Sequence, residues 1–204
     1  MQQDNGLRSL LEALDLDEAC EQLLEIAETN KVEQLTDIQQ VFDLISDIGR
    51  LFDVSAKAET LRENMEERIH IVIHKLKFIA TDQRPRVALI QNGHNLLRNH
   101  YLDTLIKTAG GRIVNPDEAD AGLLIFLAEG MYQLLGELPV LLDQPQWKTS
   151  AAVEKNNVFL VEHSQHLQGN LLHAADDVEL LAQLLYPQYF VFSESGASWM
   201  KFEL

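Results

Sequence analysis

Through the first 80 residues, apolar side chains recur every three or four positions, which is the spacing of amphipathic helices. This pattern predicts two helices over residues 7–28, with Cys20 as a core residue on the second, and another helix opened by Thr36 and ending near residue 52. The longest stripe predicts one helix over residues 55–79, roughly 35 Å long. Its apolar positions are Leu61, Met65, Ile69, Val72, Leu76 and Ile79.

After residue 83, short apolar runs alternate with segments of helical periodicity. Strands are predicted at residues 87–91, 112–114, 122–127, 158–162 and, as an edge strand, 189–193. Helices are predicted at residues 95–109, 131–142 (interrupted at Pro139) and 176–185. Gly110 and Gly111 are expected to terminate the first of these helices. Continuously apolar strands that alternate with helices predict a mainly parallel sheet covered on both faces.

The predicted fold class is therefore α/β. A helical N-terminal region occupies residues 1–54, and a long spine helix occupies residues 55–80. A three-layer α/β lobe with a mainly parallel sheet follows at residues 84–204.

The composition narrows the set of partners. The 204 residues include 32 acidic and 16 basic ones, which gives a formal net charge of −16. Nucleic acid and anionic membrane surfaces would repel such a protein. Cys20 is the only cysteine, which excludes an intrachain disulfide and a cysteine-rich metal site. No apolar run reaches the eighteen or so residues of a membrane span, so no membrane insertion is expected.

The first 20 residues lack the basic segment, the apolar segment and the small-residue cleavage site of an export signal. Two locations stay open. The protein is expected to be cytoplasmic, or periplasmic if an export signal has been removed from it.

Two pairs of histidines are candidate ligands. His70 and His74 stand one turn apart on the spine helix, a spacing that can place two imidazoles on one metal ion. Exposed histidines facing helix carboxylates are the favoured interpretation, so no metal site is predicted. His163 and His166 follow the strand at 158–162, where α/β proteins gather ligands, although an ordinary polar loop would look the same.

The sequence contains no nucleophile elbow, phosphate-binding P-loop or dinucleotide glycine fingerprint. Ser193, Ser195 and Ser198 have no recognisable base arranged with them. We therefore expect neither an enzyme nor a resident cofactor.

Loops that follow three predicted strands form the candidate ligand site. Parallel strands would bring these loops to one edge, and a helix starting after His94 would add unpaired backbone N–H groups. Three ordinary loops remain the alternative. The candidate ligand-binding residues are Gln91, Asn92, Gly93, His94, Asn95, Glu129, Gly130, Met131, Tyr132, Glu162 and His163.

Five segments in order resemble the substrate-binding proteins of ABC importers for cobalamin, siderophores and haem. "LTDIQQVFDLISDIGRLFDVSAKAETLRENMEERI" resembles the approach to that family's rigid interdomain helix, and "RPRVALIQ" resembles the first strand of its C-terminal lobe. The other three segments are "YLDTLIKTAGG", "SAAVEKNNVFLVE" and "VELLAQLLYPQYF".

The resemblance implies a fold of two α/β lobes joined by one long helix, with a bulky metal chelate held between them. It implies that the candidate loops supply half of the pocket and that an ABC permease is a partner. In this sequence, a few dozen helical residues stand where the family has its N-terminal lobe. One lobe would offer a shallow shelf unless a second chain, as in a homodimer, closes it.

Two hypotheses follow. In the first, the chain is a substrate-binding-protein-like module that binds cobalamin, haem or a siderophore for ABC-type import. In the second, it is a ligand-free interaction protein that dimerises or docks a partner through the helices at residues 7–28, which would bury otherwise exposed leucines.

Overall fold

The structure is a computed structural model of the chain. The residues that it describes are 10, 12–16, 37–91, 95–96, 99–115, 121–192, 196 and 198–203. The predictions for Cys20 and for most of residues 7–28 lie outside this set. Leu10 and Leu14, which are described, are fully buried.

The α-helices are α1 (Ile38–Leu51), α2 (Ser55–Leu76), α3 (His100–Thr108), α4 (Met131–Leu142), α5 (Pro145–Lys148), α6 (Ala151–Glu154) and α7 (Ala174–Leu185). The strands are β1 (Arg86–Gln91), β2 (Asn95–Leu96), β3 (Arg112–Ile113), β4 (Leu123–Ala128), β5 (Val158–Glu162) and β6 (Trp199–Phe202). Short 3₁₀ turns cover Thr81–Gln83 and Leu171–His173.

The strands form one mostly parallel sheet in the order β2-β1-β4-β5-β6, and β3 also pairs with β1. The pairs β1–β3, β1–β4 and β4–β5 are parallel, whereas β2 and β6 join the edges in antiparallel orientation. The α/β fold class and the mainly parallel sheet predicted from the sequence are confirmed.

Each face of the sheet is covered by its own hydrophobic core. Along β4, Leu123, Ile125 and Leu127 enter the core formed with α1, α2, α3 and α7. The alternate residues Leu124, Phe126 and Ala128 enter the core formed with α4, α5 and α6. Because both faces of the strand are buried, its sequence is apolar without interruption, which is typical of central parallel strands.

The spine helix α2 is 22 residues long, and a helix of this length extends about 33 Å. Its buried face packs in the first core, against α1 and α7. The Arg68 guanidinium adds an ionic link to α7: its Nη2 lies 2.5 Å from Glu179 and 2.5 Å from Asp176. The hydrogen bonds with these carboxylates raise the pKa of Arg68, against the opposing effect of partial burial.

The turn at Gly110 and Gly111 ends α3 as predicted. Gly110 adopts a φ of +85°, a conformation that favours glycine. A side chain at this position would also approach Leu76 to 2.8 Å. The Tyr186 hydroxyl donates to the Gly110 carbonyl at 2.8 Å, so the turn is tied to the end of α7.

Three predictions for individual elements were wrong. The helix predicted at 95–109 begins only at His100, because Asn95 and Leu96 pair with the end of β1. The helix at 131–142 continues through Pro139 without interruption. The edge strand predicted at 189–193 does not form over the described residues 189–192, and Trp199–Phe202 pairs with β5 instead.

In the apolar run after α7, Phe190 enters the core, whereas Tyr189, Val191 and Phe192 are 51%, 85% and 42% exposed. Phe190 is only 2% exposed, and the Lys75 ammonium lies 5.0 Å from the centre of its ring. The backbone N–H of Phe192 donates to the Gln183 side chain at 2.7 Å. These contacts hold the segment without strand pairing, so an apolar run with strand-like composition forms a loop that is anchored by Phe190.

Candidate functional site

The ends of three parallel strands lie side by side at one edge of the sheet. Gln91 at the end of β1 is in register with Leu127, and Ala128 at the end of β4 is in register with Glu162. The loops that follow Gln91, Ala128 and Glu162 therefore start at the same edge. We refer to this edge and these three loops as the ledge.

The first loop of the ledge differs from the prediction. Asn92, Gly93 and His94 lie outside the described residues, and the backbone of Asn95 pairs with Gln91. The helix expected to start after His94 starts at His100 and is capped by Asn99, whose side chain accepts from Leu102 N–H at 2.8 Å. The helix N-terminus that was expected directly after His94 therefore lies at Asn99.

The second and third loops are joined by Glu162. Its carboxylate accepts from Gly130 N–H at 3.2 Å, from Met131 N–H at 3.0 Å and from the Ser164 hydroxyl at 2.9 Å. Gly130, with φ of +87°, is the cap residue of α4 and turns its N–H toward the carboxylate. Glu162 thus supplies the cap that Gly130 cannot provide from a side chain.

Glu162 also sets the charge at this end of α4. Partial burial opposes ionisation, but the hydrogen bonds from Met131, Ser164 and Gly130 outweigh it and lower the pKa of Glu162 below its ordinary value of 4.5. The partly positive helix terminus is therefore already neutralised by a carboxylate of the same chain. An anionic ligand group would meet Glu162 at this position.

The predicted ligand residues divide by exposure. Tyr132 is 65% exposed, and its hydroxyl donates to the Gly196 carbonyl at 2.7 Å. Glu129 is exposed, and Gln91 and Glu162 are partly exposed. Met131 and His163 are buried, at 1% and 6% exposure, so their side chains belong to the interior.

A further polar cluster adjoins the third loop. His166 Nδ1 lies 3.2 Å from Asp177 Oδ1, and His166 Nε2 lies 3.1 Å from Ser198 Oγ. The expectation that Ser198 has no base arranged with it was wrong. The sequence shows the position of His166 after a strand, but it does not show the partnership of His166 with Asp177 and Ser198.

Asp177 is the buried end of this cluster. It is fully buried, and its Oδ1 also accepts from Leu167 N–H at 3.0 Å. Burial raises the pKa of Asp177 above its ordinary value of 3.8, although hydrogen bonds from His166 and Leu167 act in the opposite direction. Burial and, secondarily, the nearby Asp177 raise the pKa of Tyr101, whose hydroxyl donates to the Asn170 carbonyl at 3.3 Å.

His70 and His74 lie away from the ledge, on the spine helix. The His70 side chain is 59% exposed, and its Nε2 is 3.9 Å from Glu66. His74 Nε2 lies 3.0 Å from the Lys77 ammonium, a cation that would compete with a metal ion. Over the described part of the chain, no group of three or more His, Cys, Asp or Glu side chains is arranged to hold a metal ion. No helix in the described ranges is long and apolar enough to cross a membrane.

Sequence comparisons assign no family. No protein-family model matches the chain. No curated protein matches it either.

Solved structures, in contrast, resemble the chain in fold. An ABC transporter substrate-binding protein from Listeria monocytogenes matches with a TM-score of 0.62 at 20% identity, covering 74% of this chain and 66% of that one. A TroA-like periplasmic binding protein, FepB, from Veillonella parvula matches with a TM-score of 0.60 at 16% identity, covering 82% and 62%. A periplasmic haem-binding protein from Pseudomonas aeruginosa matches with a TM-score of 0.59 at 17% identity, covering 83% and 66%.

At these identities the comparison concerns the fold. The chain spans 62 to 66% of the length of these three structures. Its mixed α/β architecture, with a mostly parallel sheet and flanking helices, matches the fold of ABC transporter substrate-binding proteins.

Proposed function

We propose that this chain is a substrate-binding-protein-like module that binds a bulky metal chelate, such as cobalamin, haem or a siderophore, for ABC-type import. The observation that carries the proposal is the ledge, where three parallel strand ends align at the edge at which α/β proteins bind ligands. The similarity in fold to substrate-binding proteins, among them a haem-binding one, supports it. Binding of this kind requires no covalent chemistry from the chain.

The charge of the second and third loops of the ledge favours one part of this ligand class. Segments 128–133 and 162–170, which contain these two loops, and the adjoining segment 189–198 contain no lysine or arginine, whereas the first loop carries Arg98. Glu129 is exposed, and Glu162 has a lowered pKa. A neutral or cationic chelate therefore fits the second and third loops better than one that carries carboxylates, because like charges in a partly desolvated site repel each other.

Within the ledge, Tyr132 is the side chain best suited to contact a large planar ligand. Its ring is 65% exposed, and its hydroxyl is held by Gly196. An aromatic ring offers a large contact area at a small cost in conformational entropy. We infer that Tyr132 stacks on the ligand.

The test is titration with cobalamin, haemin and a ferric siderophore, followed by absorbance and thermal shift. We expect saturable binding of at least one ligand, and binding about tenfold weaker in Tyr132→Ala. Val140→Ala is the matched control, because Val140 is 76% exposed on the same helix α4, two turns beyond Tyr132. No response to any of the three ligands at high micromolar concentration would contradict the proposal.

The alternative function, docking of a partner through the N-terminal helices, is less well supported. Leu10 and Leu14, two of the leucines that such docking would use, are already buried in the first core of this chain.

A further inference from the structure

Three side chains from separate parts of the chain form one hydrogen-bonded line at the ledge. Asp177 lies in the first turn of α7, His166 in the loop after β5, and Ser198 immediately before β6. The distances are 3.2 Å from Asp177 Oδ1 to His166 Nδ1 and 3.1 Å from His166 Nε2 to Ser198 Oγ. The order is carboxylate, imidazole, hydroxyl, and each pair is joined by a single hydrogen bond.

The carboxylate sets the orientation of the imidazole. Asp177 Oδ1 is an acceptor, because it also receives Leu167 N–H at 3.0 Å. His166 Nδ1 therefore carries the proton in this bond, which leaves the Nε2 lone pair of the neutral ring directed at Ser198. In this arrangement Ser198 Oγ–H donates to a base.

Exposure increases along the line toward the serine. The Asp177 side chain is 1% exposed and the His166 side chain is 17% exposed. Ser198 is partly exposed. A nucleophile must be reachable by a substrate, whereas the carboxylate that orients the base works best away from water. The gradient of exposure fits these roles.

The backbone on both sides of the cluster is held in place. The Ser198 carbonyl accepts from Glu162 N–H at 2.8 Å, and His166 N–H donates to the Glu162 carbonyl at 3.2 Å. Serine and histidine are thus both fastened to the end of β5. These backbone hydrogen bonds fix the distance between the nucleophile and the base, because both residues are attached to the sheet.

We propose that Ser198, His166 and Asp177 form a Ser–His–Asp triad that hydrolyses carboxylic esters at the ledge. Ser198 and His166 are the catalytic residues, and Asp177 is a positioning residue that acts through His166. This activity goes beyond the proposed binding function and does not depend on it.

The reaction has two balanced steps. Ser198 Oγ attacks the acyl carbon while His166 Nε2 takes the hydroxyl proton; the bond to the leaving oxygen then breaks, and that oxygen departs as an alcohol with the proton from Nε2. In the second step, water attacks the acyl-serine and gives its proton to Nε2. The carboxylic acid departs, and the proton returns to Ser198 Oγ. Water is the only co-reactant.

A simpler interpretation is that the same bonds only fasten the C-terminal segment to the loop. The two interpretations differ in whether the hydroxyl reacts. A fluorophosphonate probe phosphonylates an activated serine, with loss of fluoride, but does not label an ordinary one. We expect peptide mapping of the labelled wild-type protein to place the probe on Ser198, and this measurement requires no variant.

The second measurement is the hydrolysis of p-nitrophenyl acetate. This ester has an activated leaving group, so it can react even where the acyl group is not held in a well-formed pocket. We expect Ser198→Ala to lower the protein-dependent rate at least about tenfold. Ser46→Ala is the matched control: Ser46 is partly buried on α1 and donates to the Phe42 carbonyl, with no histidine as partner. This variant should hydrolyse the ester at the wild-type rate.

The variant Asp177→Asn distinguishes a role of Asp177 in positioning His166 from a role in folding. Its amide oxygen can still accept from Leu167 and His166, but the charge that stabilises the imidazolium is lost. We expect slower labelling of Ser198 with no loss in Tm, whereas a purely structural role predicts unchanged labelling. Absence of label on Ser198, or hydrolysis by Ser198→Ala at the wild-type rate, would overturn the triad.

Discussion

At the scale of single residues, Glu162 and Asp177 are two carboxylates near one sheet edge whose pKa values are shifted in opposite directions. Hydrogen bonds from α4 and Ser164 lower the pKa of Glu162 in spite of partial burial. Burial raises the pKa of Asp177 in spite of His166 and Leu167. Linkage then requires opposite effects of pH on the free energy of unfolding.

For Glu162, the stabilisation is present above the ordinary pKa of 4.5 and is lost as the pH falls through the lowered value in the folded state. We expect Glu162→Gln to lower the free energy of unfolding at neutral pH by about 1 kcal/mol, as for the loss of a helix cap. The difference from wild type should shrink as the pH falls from about 7 to about 3. Urea unfolding at a series of pH values measures it, and a difference that grows toward acid would contradict the assignment.

For Asp177, the effect of pH on the free energy of unfolding has the opposite sign. Below its ordinary pKa of 3.8 the carboxyl is neutral in both states. As the pH rises from there to the raised value, the carboxyl ionises in the unfolded state but stays protonated in the folded state, so the folded state loses stability. Relative to wild type, Asp177→Asn should therefore gain stability as the pH increases across this window. A constant difference between the two proteins would show that burial does not dominate the pKa of Asp177.

At the scale of elements, α1 and α2 cross where neither helix has room for another side-chain atom. A Cβ on Gly49 would lie 2.3 Å from Ala58 Cβ and 3.3 Å from the Ser55 Cα. A contact of 2.3 Å forces the helices apart, and overpacking of this kind costs on the order of 1–3 kcal/mol.

We predict that Gly49→Ala destabilises the protein by about 2 kcal/mol. Ala58→Gly alone should cost about 1 kcal/mol through helix propensity. The double variant should cost clearly less than the sum, because the second change removes the atom that the first one strikes. Gly136→Ala is the control: a Cβ there meets nothing within 4 Å, so a gain of about 0.5–1 kcal/mol is expected. If the losses in stability from the Gly49 and Ala58 substitutions were additive, the two helices would be able to move apart at their crossing point, and the prediction would be wrong.

The elements also show what the sequence could predict. The strand Val158–Glu162 and the helix Met131–Leu142 have the predicted boundaries, because their own burial pattern determines them. The edge strands β2 and β6 were missed, because such short segments become strands only through pairing with β1 and β5. The wrong position of the edge strand had a further effect. Because the sequence predicts this strand at residues 189–193 and not at β6, it gives no indication that Ser198 lies next to His166.

At the scale of the whole molecule, the described residues contain one sheet and therefore one ledge. A ligand of the size of a corrinoid or porphyrin resting on it would keep one face in water. Pockets that hold ligands tightly remove most of the ligand surface from solvent, so a second wall is needed for high affinity. We propose that a second copy of the chain supplies this wall and that the ligand links the two ledges.

This proposal predicts that ligand binding and dimerisation are coupled. Sedimentation should show an increase in the dimer fraction when a ligand identified by titration is added, and the stoichiometry at saturation should be one ligand per two chains. Each binding event should in turn raise the affinity between the chains by the same factor. Tyr132→Ala should weaken both effects together if its ring stacks on the ligand as proposed, whereas Val140→Ala should weaken neither. Saturation at one ligand per chain with an unchanged monomer would show instead that a single ledge suffices, and would leave the binding function intact while removing the second copy from it.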